Sequence, residues 1–214
     1  MRKLFLTSIA KIILLFIGIN IFSSVNSTAH QTSINPNFLK PSTMNQENPD
    51  KDKELTKKDY EYLRRCLELA EEAYLAGDEP FGSILVNAKG DIIAEARNRV
   101  NEINVLAHPE YELAKWAVEN LSVEERKQTK MYTTGEHCPM CAGAHGWVGL
   151  GDLIYLSSAK QLISWLKEEG ATGSAIQFTP SEEIINNITI KGPGEGDLLK
   201  RIQELQIKSF RRNQ

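Results

Sequence analysis

Apolar positions first fall into a helical rhythm between Leu55 and Leu75, where Leu63, Cys66, Leu67, Ala70, Ala73 and Tyr74 recur at spacings of three and four. Gly77 then stops the run, so the pattern predicts a helix with one buried face. In "FGSILVNAKGDIIAEARN" two short apolar runs flank "NAKG", the signature of a β-hairpin. "HPEYELAKWAVENL" returns to helical spacing, with Leu113, Ala114, Ala117, Val118 and Leu121 on one face. "KMYTTG" reads as a short strand, "CPMCAGAHGWVGLG" as a helix stopped by its glycines, and "DLIYLSS" as a buried strand. "AKQLISWLKEEG" predicts a helix closed by Gly170, and Asp197 to Arg211 a final helix after a variable stretch. Alternation of this kind predicts an α/β fold, a three-layer α-β-α sandwich around a mixed sheet.

The two ends read differently from this core. Residues 1–29 set Arg2 and Lys3 before an apolar stretch and small residues after it, the layout of a signal peptide, with an N-terminal anchor as the alternative. Lys11 inside the run opposes a stable bilayer span, so export to a periplasmic or secreted location is expected, with cytoplasmic or membrane-anchored states as alternatives. Residues 30–54 are polar, proline-bearing and without period, and read as a disordered linker to a domain at 55–214.

Charge narrows the partners. Cleavage after residue 29 would remove Arg2, Lys3 and Lys11 but no acid, taking the formal net charge from -3 to about -6. Such a chain lacks the basic footprint of a protein that grips a nucleic-acid backbone.

The candidate chemistry sits in "EHCPMCAGAHGW", Glu136 to Trp147. Cys138 and Cys141 are three apart, so at a helix start both sulfurs can face one point. A helix N-terminus also favours thiolate, and Pro139 is tolerated in a first turn. The pair suits an open catalytic site, a redox pair, or a closed structural knot with His137 and His145. Upstream, His108 stands at a predicted N-cap with Pro109 and Glu110 following. At a helix mouth both His108 and Glu110 can reach one target; a lone histidine there also reads as a cap. Cys66 lies on the first helix's apolar stripe and reads as core.

"HPE" followed some thirty residues later by "EHCPMC" resembles the zinc-dependent cytidine/deoxycytidylate deaminase superfamily, whose members carry His-x-Glu and then Pro-Cys-x-x-Cys. The hairpin resembles the guanine deaminase and tRNA adenosine deaminase branch, and the similarity spans roughly residues 56–170. The resemblance implies one zinc ion held by His108, Cys138 and Cys141, with the fourth position left to water. It implies Glu110 as the proton carrier in hydrolysis of an amino-purine or amino-pyrimidine, as free nucleobase or nucleoside, to a ring carbonyl and ammonia. Asn98 matches a base- or sugar-binding position and reads equally as a turn residue. Phe81 and Trp147 match aromatic pocket positions and read also as core. Relatives commonly pair, so a homodimer is expected. Pro109, in place of the usual alanine, removes a backbone N–H that many relatives use on the base, and His137 replaces the usual proline. The alternatives are a tRNA adenosine deaminase, opposed by the acidic charge, and a non-catalytic zinc protein built on the closed knot.

Overall fold

A computed structural model describes residues 54–214 of the chain. The expected leader and, but for its last residue, the expected linker lie outside the described residues. Helix α1 (Lys57–Ala76) begins with a reciprocal cap, Thr56 accepting from the Asp59 amide while the Asp59 carboxylate accepts from the Thr56 amide. It ends on Gly77, left-handed at φ 96°. Strands β1 (Gly82–Val86) and β2 (Ile92–Arg97) form the hairpin, its turn closed by Asn87 Oδ1, which accepts from the Lys89 and Asp91 amides. There follow α2 (Pro109–Asn120), α3 (Val123–Gln128), β3 (Lys130–Gly135), α4 (Pro139–Val148), β4 (Leu153–Ser157) and α5 (Ala159–Glu168). A short α6 (Ser181–Ile184), a two-residue β5 (Ile190–Lys191) and α7 (Gly196–Arg212) complete the described chain.

The sheet order is β2-β1-β3-β4-β5, antiparallel from β2 to β3 and parallel from β3 to β5. Strand alternation sends Ile84, Val86, Tyr132, Ile154 and Leu156 to one face, against α1 and α7. Leu85, Met131 and Leu153 go to the other, against α2, α4 and α6. The three-layer sandwich expected from the alternating pattern is therefore the fold.

Three elements differ from the sequence reading. Helix α3 is a single exposed turn and a half with no apolar stripe; only its cap, Ser122 with Glu125, marks it in sequence. Helix α6 and strand β5 are four and two residues long, too short to show a period, and they lie in the stretch read as variable. No helix among the described residues is long and apolar enough to cross a membrane.

Candidate metal and active site

Two helix mouths meet at the ends of the central strands. His108 is the N-cap of α2 in extended conformation, and its side chain makes no capping bond. The reading of this histidine as a simple cap is thereby set aside. Pro109 takes the first helical position, where its missing N–H costs nothing to the helix. Cys138 is the N-cap of α4, likewise with no side-chain cap bond, and Pro139 follows it. One turn on, Cys141 is buried at 1% exposure.

His108 Nδ1 lies 3.8 Å from Cys138 Sγ and 3.6 Å from Cys141 Sγ. The three ligand atoms all fall within 4.8 Å of one another. Tetrahedral zinc with bonds of about 2.0–2.3 Å spaces its ligands roughly 3.4–3.8 Å apart, so the trio fits that ion. Charge fits as well. A hydrogen bond from the Cys141 thiol, joined by His108, holds the Cys138 thiol down at about 4. Cys141 is pushed up, first by sharing that bond and then by burial. Hydrogen bonding to Cys138 raises His108 above the ordinary imidazole value. The cluster thus favours a thiolate at Cys138, in contact with both the imidazole and the second sulfur.

Glu110, only 5% exposed, points into the same space. Its Oε2 is 3.7 Å from Cys141 Sγ. Its Oε1 accepts from Thr133 Oγ1 at 2.8 Å, and the single Ser83 hydroxyl proton reaches Thr133 Oγ1 at 2.9 Å with that same Oε1 as its alternative acceptor at 3.3 Å. Burial raises this carboxyl above the usual range, opposed by the nearby His108 and by the Thr133 hydroxyl. Sequence reasoning missed Ser83 and Thr133. Their signal was strand alternation: both are polar, stand opposite each other in register, and share the face that α2 covers.

The same face carries the other candidates. Ser83 pairs with Ala96, so Asn98, two residues beyond, lies on that side of β2's end. Asn98 is 1% exposed; its Oδ1 accepts from the Val100 amide, and its Nδ2 has no partner among the described residues. Phe81 is half-buried, and its ring sits where a Cβ on Gly135 would meet it at 2.8 Å, beside the β3 exit. Trp147 is not brought to this group. It stands on the last turn of α4, 92% exposed, about 9 Å along the axis from Cys141 at 1.5 Å per residue.

The closed knot does not form. His137 Nε2 faces His145 Nδ1 at 3.3 Å, and His145 Nε2 donates to the Gly151 carbonyl at 2.8 Å. Neither ring joins the donor cluster, which among the described residues is His108, Cys138 and Cys141. The three cysteines are free thiols, and Cys66 is a fully buried core residue.

Residues 56–157 match the cytidine and deoxycytidylate deaminase zinc-binding region. A probable cytosine deaminase of Schizosaccharomyces pombe is 34% identical over 119 residues, covering 55% of this chain and 71% of that protein. The chain belongs to this family of zinc-dependent deaminases. The guanine deaminase of Bacillus subtilis is 39% identical over 88 residues, 40% of this deaminase and 56% of that one. The tRNA-specific adenosine deaminase of the same organism is 37% identical over 84 residues, 39% of this chain and 52% of that one. The fold is shared with a guanine deaminase structure from Nitrosomonas europaea, with a TM-score of 0.52 at 20% identity over 70% of this chain and 83% of the other. Hydrolytic deamination with zinc is accordingly the chemistry of this enzyme, and the family match ends where β4 does.

Proposed function

We propose that this deaminase acts on a free nucleobase or nucleoside, with His108, Cys138 and Cys141 as the zinc ligands and Glu110 as the proton carrier. The observation that carries the reading is the trio of donors at zinc spacing with the Glu110 carboxylate beside it, one oxygen tethered and the other turned inward. Zinc there supplies the Lewis acidity that makes hydroxide available near neutral pH.

The chain's own residues handle the protons. Glu110 Oε2 accepts a proton from the attacking water and delivers it to a ring nitrogen, while Oε1 stays on Thr133. The freed carboxylate then takes the remaining proton from the added hydroxyl and gives it to the leaving amine; the C–N bond breaks as the C=O bond forms, so an amidine carbon and water become a ring carbonyl and ammonia. Asn98 Nδ2, a buried donor whose partner oxygen is already occupied, suits an acceptor atom on the heterocycle. The Phe81 ring, set against Gly135, suits the face of a flat base. Pro109 offers no amide, so that contact is absent from base recognition here.

A small substrate is favoured over tRNA by the acidic charge. Pairing with a second copy is supported by an apolar outer ridge on α2 and α4. Val118 and Trp147 are exposed there, and Val118 lines a cavity with Tyr111, Ala114, Ala144 and Val148, bordered by the charged Lys115 and Glu119. Export is proposed from residues 1–29 alone, and N-terminal sequencing of the mature protein would test it.

The test is ammonia release by purified zinc-loaded protein across amino-purines, amino-pyrimidines, their nucleosides and a tRNA substrate. Turnover of a base or nucleoside is expected; turnover of tRNA alone would replace the reading with the tRNA one.

A further inference from the structure

We propose that His137 and His145 are positioning residues for the metal-binding turn, through a hydrogen-bond chain of one polarity that fixes where Cys138 presents its sulfur. This deepens the proposed zinc site and rests on it.

The polarity follows from elementary bonding. The Gly151 carbonyl can only accept, so His145 must carry its proton on Nε2. In the neutral ring Nδ1 is then an acceptor, and the ring nitrogen facing it, His137 Nε2, must be the donor. His137 is left with a bare Nδ1 that is buried and has no donor among the described residues. Both rings are buried, His137 at 1% and His145 at 0% exposure, with no carboxylate among their hydrogen-bond partners, a setting for neutral rings. Each tautomer is set by its neighbour, starting from one carbonyl.

The anchor at the far end is rigid. Gly151 donates to the carbonyls of Arg126 and Thr129, and a Cβ there would sit 2.6 Å from Lys127 O. The chain therefore ties the loop between α4 and β4, and through it the α3–β3 connection, to the residue just before Cys138. On the other side of the same turn, the Glu136 carboxylate accepts from the Ala159 and Ser181 amides. The turn is thus held from both sides, while Cys138 itself makes no capping bond and keeps its sulfur for His108 and the metal position. Packing alone does not call for two buried imidazoles with one lone pair unsatisfied; an apolar pair would fill the space without that cost.

Glutamine can place an amide nitrogen where His137 has Nε2, so H137Q keeps the donor to His145, whereas H137L removes it. The full chain, loaded with one zinc, is transferred into excess chromophoric chelator and the rate of zinc loss is followed. H137L is expected to lose zinc about tenfold faster than wild type or more, the range typical of residues that orient metal ligands, with H137Q within roughly threefold of wild type. Equal rates for H137L and wild type, or H137Q losing zinc as fast as H137L, would overturn the proposal. Should H137L not fold, long-range proton–nitrogen spectra of the wild-type rings decide. Neutral Nε2–H tautomers on both support the chain, and an Nδ1–H tautomer on either overturns it. Wild-type protein that takes up no zinc would instead overturn the underlying site, and this inference with it.

Discussion

Thr133→Val cuts the tether on Glu110 while leaving almost the same shape. The Thr133 hydroxyl, fully buried, gives the Glu110 Oε1 its shorter bond, 2.8 Å against 3.3 Å from Ser83. A hydrogen bond to a charged group contributes about 1.5–3 kcal/mol. Ser83 now donates to Thr133 and can turn its proton onto Oε1, so the lower end applies. About 1.4 kcal/mol in a barrier is tenfold in rate, and kcat is expected to fall roughly tenfold in T133V. Ser83→Ala should cost only about two- to threefold, and the double variant more than the product, because each hydroxyl covers for the other. KM should stay within about twofold, since Oε1 faces the sheet and the inward oxygen is untouched. Direction with pH is also set. The Thr133 hydroxyl holds the Glu110 pKa down against burial, so its loss raises that pKa further and moves the acid limb of kcat to higher pH. The assay is steady-state ammonia release with zinc content measured on the same samples. T133S should recover most of the loss. Wild-type kcat in T133V, at full zinc occupancy, would refute the tether.

Three further outcomes follow from the fold. Gly82→Ala would put a Cβ 2.4 Å from Cys66 O and 2.7 Å from Ala70 N, backbone atoms of α1 that cannot step aside. A loss of about 3 kcal/mol in urea unfolding is expected, and an unchanged midpoint would contradict the packing of β1 on α1. His145 is held below its unfolded value by burial, with the Gly151 bond only partly offsetting this. Its contribution is therefore present above the unfolded pKa of about 6.5 and is lost as pH falls below it, by up to roughly 1.4 kcal/mol per pH unit. Unfolding midpoints between pH 7 and 5.5 should fall less steeply in H145Q than in wild type, and parallel slopes would refute the assignment. The proposed pairing predicts a wild-type dimer in analytical ultracentrifugation that Trp147→Glu on the exposed α4 ridge converts to monomer; a monomeric wild type would refute the pairing, and an unaltered dimer would place the interface elsewhere.

Much of this was legible in residues whose chemistry is local. Period and glycine stops located the long helices, and strand alternation with turn residues located the hairpin. Helix mouths marked by proline showed where His108, Glu110, Cys138 and Cys141 stand, but it took the resemblance of "HPE" and "EHCPMC" to a family motif to set them in one site. What escaped is what only register and tertiary approach create. Ser83 and Thr133 are unremarkable hydroxyls until β1 and β3 pair them under Glu110. His145 looks like a second ligand four residues from Cys141 until the Gly151 carbonyl claims its ring. Trp147 reads as a pocket wall by its place in the motif, yet its position on α4 turns it outward.

The most direct measurement is zinc content and ammonia release in Glu110→Gln beside wild type, on whichever base or nucleoside the wild-type enzyme turns over. With the metal on His108, Cys138 and Cys141, the variant should hold one zinc per chain and release no ammonia above background. Full turnover by E110Q would contradict the account at its centre.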